Sequence, residues 1–257
     1  MKLRFHIPRS IQNLIIGVLL FNILWLFIAL IVKNRVLPSP LDVYEVMPQT
    51  LMEQNMWQHS WASLWRVILG TAIALVIGSA FGLLTAISRR VNKIMEPLLY
   101  LSYPVPKLAL MPAVMIIFGI GQWAKIIMIV LIIVFQIIIS IRDAIRRINR
   151  ENFYVLQAFG ASRWSILRHI VFPCVLPDIF SALRVTIGIA ISVLFVTETF
   201  GTDSGLGFFI IDSWMRLNYL QMYAGIVMIS IIGFLLFMTI DILDAIFCRW
   251  QKIIEKQ

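Results

Sequence analysis

Long apolar runs closed by short polar or basic stretches divide the chain into six blocks, at roughly 13–32, 62–87, 98–118, 123–141, 178–198 and 223–247. A bilayer core ~30 Å thick needs about 20 helical residues per crossing. The pattern therefore predicts an all-α integral membrane protein with about six transmembrane helices, read as one domain over 1–257. The block at 13–32 is too long for a signal peptide and lacks a small-residue cleavage site after it. It predicts a retained first helix, peripheral to the core. Two of the polar stretches are long enough to hold structure of their own. Residues 33–61 open on Leu37-Pro38-Ser39-Pro40 and contain Trp57, His59 and Trp61, and residues 199–222 carry Gly201, Gly205 and Gly207 before Trp214 and Tyr219. Aromatic residues at such positions suit anchoring at a membrane interface.

Composition strengthens this picture. Apolar residues make up 60% of the chain and charged ones 14%, with a mean hydropathy of +0.90. A soluble domain of this length needs more polar surface. The net charge of +9 does not point to nucleic acid, because the cations gather at the ends of apolar runs. Fifteen of the 22 basic residues fall in one set of loops: Lys2, Arg4 and Arg9; Arg89, Arg90 and Lys93; Arg142, Arg146, Arg147, Arg150, Arg163 and Arg168; Arg249, Lys252 and Lys256. Lys33, Arg35, Arg66, Lys125 and Arg216 fall on the opposite side. The bias places both termini and the 142–173 loop in the cytoplasm. Cys174 and Cys248 stand far apart and suggest neither a disulfide framework nor a metal site.

The 142–173 loop has no run fit to cross a membrane, yet its residues are patterned. Val155, Leu156 and Phe159 fall on one face of a short helix. Gly160 suits the left-handed position that ends it, and Ser162 can cap a second helix. Trp164, Leu167, Ile170 and Val171 share a face of that second helix, and Pro173 is expected to close it. On pattern alone such a helix–turn–helix could equally lie flat on anionic lipid.

The order of its residues adds more. Gly160-Ala161-Ser162-Arg163-Trp164, then Ile170 and Phe172-Pro173, resembles the cytoplasmic loop of binding-protein-dependent ABC importer permeases. The resemblance is to the nitrate/sulfonate/taurine/bicarbonate group, and it runs from about Leu37 to Trp250. It includes Pro104-Val105-Pro106-Lys107-Leu108-Ala109-Leu110-Met111-Pro112, Phe118-Gly119-Ile120-Gly121, Thr197-Glu198-Thr199-Phe200 and Gly205-Leu206-Gly207 with Asp212-Ser213-Trp214. One departure stands out. Tyr154 occupies the family's acidic position, and Val155 and Leu156 replace its two alanines.

The resemblance implies a type I ABC importer permease fold and a permease subunit in the cell inner membrane that imports a small anion such as nitrate, sulfonate, taurine or bicarbonate. It makes Phe159, Gly160, Ala161, Ser162, Arg163, Trp164, Leu167, Ile170 and Pro173 the coupling element that meets an ATPase. It also implies a second permease copy, two ATP-binding subunits and an extracytoplasmic solute-binding protein. The chain lacks a Gly-x-x-x-x-Gly-Lys-Ser/Thr loop, so ATP and Mg belong on the partner ATPase and no cofactor is expected on this chain.

Polar groups in spans are costly and mark candidate pathway positions; here these are Tyr103, Gln136, Arg184, Thr197 and Glu198. For Tyr103 an interfacial anchor, and for Gln136 an interhelical hydrogen bond, is the simpler reading. Glu198 could pair with a basic group or contribute to a gate. Pro104, Pro106 and Pro112 are expected to break hydrogen bonding in the third span, as at many transport pathways. A secondary transporter is the alternative, but no inverted repeat or set of intramembrane carboxylates supports it. An intramembrane enzyme finds no catalytic constellation, since His6, His59 and His169 lie outside or at the edge of the spans.

Overall fold

A computed structural model describes residues 9–53 and 55–250. Expectations that rest on Lys2, Arg4, His6, Lys252 and Lys256 lie outside those residues. Every regular element described is a helix: α1 (Arg9–Val32), α2 (Pro40–Glu53), α3 (Met56–Ile87), α4 (Arg89–Ser102), α5 (Met111–Phe118), α6 (Gln122–Arg147), α7 (Arg150–Ala158), α8 (Arg163–Ile166), α9 (Phe172–Glu198), α10 (Leu206–Met215) and α11 (Tyr219–Phe247). Among the described residues, four continuous helices are long and apolar enough to cross a membrane: α3, α6, the run Arg163–Glu198, and α11. The two long polar stretches do hold structure, as α2 and α10.

Two expected spans differ in detail. The stretch 98–118 is no straight helix: α4 and the segment Lys107–Phe118 meet at 92°. Pro104 and Pro106 supply no N–H and bias the residues before them toward extended backbone, so no helix can run through 103–106. Lys107–Leu110 restarts as a 3₁₀ turn. Pro112, by contrast, breaks nothing, because it stands at the first turn of α5, where a missing N–H is tolerated.

The fifth span begins far earlier than residue 178. α8 passes through a π turn at Leu167–Val171 into α9, giving one helix over Arg163–Glu198. Pro173 therefore closes nothing. The π turn bonds the Phe172 N–H back to the Leu167 carbonyl, and this wider winding lets the chain absorb a proline that would otherwise clash in a regular helix.

The chain forms two compact units. One comprises Met1–Trp57 and Phe209–Val227. Within it, Ser39 and Asp42 cap α2, with the Ser39 hydroxyl donating to the Asp42 carboxylate at 2.7 Å. Trp25 on α1 donates from Nε1 to the Pro38 carbonyl at 3.1 Å, and its ring stacks on Tyr223. The other unit comprises Gln58–Phe208 and Met228–Gln257.

The core of this second unit is organised by α6, which buries Ile129, Ile133, Ile137 and Ile141 at a spacing of four. α3 answers with Gly70, Ala74, Gly78 and Gly82 at the same spacing. A Cβ on Gly78 would lie 2.6 Å from Ile137 Cγ2, and one on Gly70 2.8 Å from Ile129 Cγ2. Only glycine permits so close an approach, and small residues bring membrane helices together in this way. The pairing advances in step along both helices, so they run parallel.

Candidate functional site

The loop after α6 is built as a capped turn. The Asn149 side chain accepts from the Glu151 N–H and starts α7. The Gly160 N–H donates to the Gln157 carbonyl at 2.9 Å and the Ala161 N–H to Leu156 at 3.0 Å. These are the paired bonds of a Schellman motif, with Gly160 at φ +72°. Ser162 then caps the next helix, accepting from the Ser165 N–H at 3.2 Å. The stop expected of Gly160 and the start expected of Ser162 are both present.

Side-chain placement splits the expected apolar faces. On α7, Phe153 and Leu156 turn inward while Tyr154, Val155 and Phe159 are exposed, Phe159 by 85%. After the turn Trp164 is 69% exposed, and Arg163 is exposed with it. Leu167 is half-buried, and Ile170 is buried with Val171 in the helix bundle. Ala161 and Pro173 are half-buried. Of the nine residues expected to form the coupling surface, Phe159–Trp164 thus make a continuous outward patch. Ile170 is instead buried, Leu167 packs against the core, and Pro173 is half-buried.

A second constellation lies where α9 ends. The Glu198 carboxylate is fully buried, and Arg66, 1% exposed, donates to it from Nη1 at 2.5 Å. Ser63 Oγ donates to Glu198 Oε2 at 2.8 Å, and the Gly207 N–H donates to the same oxygen at 2.9 Å. The Leu206 N–H donates to Ser63 Oγ at 2.7 Å, and the Gly205 N–H to His59 Nδ1 at 3.1 Å. Arg66 also reaches the Ser204 carbonyl and hydroxyl, at 2.9 and 2.8 Å. These contacts cap the start of α10: its orphan N–H groups find a hydroxyl and a carboxylate, and the carboxylate suits the positive helix end. Gly205 is at φ +115° with the Glu198 carboxylate where a Cβ would go, so Gly205-Leu206-Gly207 is the sequence that lets the loop close on the acid.

Glu198 does pair with a cation, as one of its sequence readings held. Arg66 and Ser63 went unnoticed as its partners, and so did His59 as the acceptor for the neighbouring Gly205 N–H. Their signal was present: an arginine four residues into an apolar block, with polar groups three and seven positions before it on one helix face.

Of the other pathway candidates, Thr197 is buried and its hydroxyl bonds back to the Leu194 carbonyl at 3.0 Å. Arg184 ties α9 to α11 through Asp241 at 2.5 Å and Asp244 at 2.6 Å. Gln136 is half-buried on α6, and Tyr103 is exposed at the break after α4. They do not converge. A cleft of about 680 Å³ does open beside that break. It is lined by residues 105–108, Ile132 and one face of α9 from Val185 to Val196.

The profile of the binding-protein-dependent transport system inner membrane component matches residues 75–252. The chain belongs to this family. It is thus the permease of an ABC importer, a multi-pass inner membrane transport subunit and not an enzyme. The permease is 32% identical to the taurine transport system permease protein TauC of Escherichia coli K12, over 97% of this chain and 94% of that one. It is 26% identical to a putative aliphatic sulfonates transport permease protein, SsuC, of Bacillus subtilis 168, covering 88% and 82%. It is 28% identical to the bicarbonate transport system permease protein CmpB of Synechococcus elongatus, covering 86% and 83%. In fold the permease is similar to a chain of the inward-facing MetNI methionine ABC transporter, with a TM-score of 0.64 at 20% identity, over 76% of this chain and 98% of that one. It is similar also to a chain of a bacterial ABC transporter involved in alginate import, with a TM-score of 0.63 at 16% identity, over 92% and 97%.

Proposed function

We propose that this permease carries a small anion, of the sulfonate, taurine or bicarbonate kind, and that a separate ATPase drives it through the turn Phe159–Trp164. The observation that carries the coupling role is the exposure of Phe159 and Trp164 on a turn capped at both ends. Large aromatic side chains dominate contact energies at interfaces. Here they sit on a rigid turn rooted by Ile170 and Val171 in the α9 bundle, so a push on the turn reaches a span directly. Tyr154 takes part as an exposed aromatic where relatives of this group carry an acid, and the contact is therefore more apolar than in those relatives.

The remaining assembly follows from the same reading. The 257 residues act as one permease domain with α1 at its periphery and both termini in the cytoplasm. Two copies form the pathway, two ATP-binding subunits hold ATP and Mg, and a solute-binding protein delivers the anion from outside.

Gly160 provides the test of coupling. No atom lies within 4 Å of a Cβ placed there, so substitution strains the backbone without a steric clash. Gly160→Val should leave membrane insertion intact while uptake falls at least tenfold relative to ATP hydrolysis. Gly160→Asn, whose residue tolerates the left-handed region, should retain most coupling. Normal uptake by Gly160→Val would refute the role.

A further inference from the structure

The groove beside the α4–α5 break has walls of aliphatic side chains, among them Val105, Leu108, Val185, Ile189 and Val196. Lys107 is its one cation. The ammonium sits over the Phe135 ring, 4.6 Å from its centroid, and no carboxylate pairs with it among the described residues. Among the described residues of this unit, the other cations that are buried or half-buried have partners. Arg66 has Glu198, Arg142 has Asp143 and Arg184 has two aspartates, while Lys125 is 1% exposed and donates to the Gly121 carbonyl.

A lone cation in an apolar cleft at a helix break is costly to hold empty of counter-charge. Irregular backbone at membrane depth is tolerated only where it is buried in protein or lines an aqueous cavity. We infer that this groove is the anion-contact site of the permease, with Lys107 meeting the head group of a short alkanesulfonate and the aliphatic walls covering its carbon chain. This deepens the substrate reading of the preceding section and rests on it. It also favours, among the anions named there, one with an apolar tail, since bicarbonate would leave those walls unused.

The test places a thiol on the groove wall. Ser192 lines it and is exposed. In the assembled transporter carrying Cys174→Ser and Ser192→Cys, the anionic 2-sulfonatoethyl methanethiosulfonate, itself an ethanesulfonate, is compared with its trimethylammonium counterpart. The ratio of their rates should fall at least threefold on adding Lys107→Gln and stay near its starting value with Lys107→Arg. In proteoliposomes, Lys107→Gln should cut ethanesulfonate uptake at least tenfold while the complex assembles and hydrolyses ATP, and Lys107→Arg should retain most uptake. An unchanged rate ratio would overturn the inference, as would wild-type uptake by Lys107→Gln. So would a thiol at 192 that neither reagent reaches, which would mean a groove filled by lipid or a second copy. Should the wild-type complex take up no sulfonate while the Lys107-dependent ratio holds, the substrate reading fails and the anion site stands.

Discussion

Breaking the Arg66–Glu198 pair is the sharpest perturbation available to this structure. Glu198→Gln keeps the side-chain shape and can still accept from the Gly207 N–H, 2.9 Å away. It removes the charge opposite Arg66, whose Nε already has no partner among the described residues. An uncompensated buried charge costs about 3–5 kcal/mol. The Ser204 carbonyl and hydroxyl still accept from the guanidinium, at 2.9 and 2.8 Å, which places the loss at the lower end, about 3 kcal/mol. Arg66→Met strands the acid in turn, and because Ser63 and Gly207 continue to donate to it, a similar figure applies. The double variant removes both charges and should lose less than the sum of the singles by about 2 kcal/mol. The readout is thermal unfolding in detergent, followed by a thiol-reactive dye reporting on buried Cys248 in a Cys174→Ser background. Single variants within about 0.5 kcal/mol of the parent, or strictly additive losses, would refute the view that this pair locks the start of α10.

Two further outcomes follow. Gly78→Ala places a Cβ 2.6 Å from Ile137 Cγ2 and should destabilise the protein by about 1–3 kcal/mol by overpacking. Gly17→Ala, with no atom within 4 Å, should stay within about 0.5 kcal/mol in the same unfolding assay. Cys248 has its thiol pushed up to about 11, by burial first and then by the Asp244 carboxylate beside it. Only the thiolate reacts, so maleimide labelling of the folded protein should stay slow through pH 9 at Cys248 while exposed Cys174 labels readily. Comparable rates at the two sites would contradict the burial.

Much of this fold was legible as hydrophobic blocks, because a membrane span announces itself by length and apolarity alone. The turn at 158–163 was legible too, since Gly160 and Ser162 each have one local job that their chemistry dictates. Proline was harder to read. Pro104 and Pro106 broke a helix as expected, but Pro112 and Pro173 did not, and the difference lies in helix position and in a π turn that no local rule announces. Pairing across the fold was the least legible. The stripe Gly70, Ala74, Gly78, Gly82 has a period of four that could have been read as a close-packing face. That Ile129–Ile141 would fill it depends on register between two helices far apart in sequence. Glu198 and Arg66 were each visible as costly polar groups, yet only the fold brings them together, and Lys107 became conspicuous only once the other buried and half-buried cations were seen to have partners.

The most direct measurement rebuilds the permease with its ATPase and binding protein in proteoliposomes and follows radiolabelled ethanesulfonate. Accumulation should require ATP and the binding protein and should persist when ionophores collapse the ion gradients. Uptake that ignores ATP and vanishes with the gradients would contradict the account, since the chain would then be working as a secondary transporter.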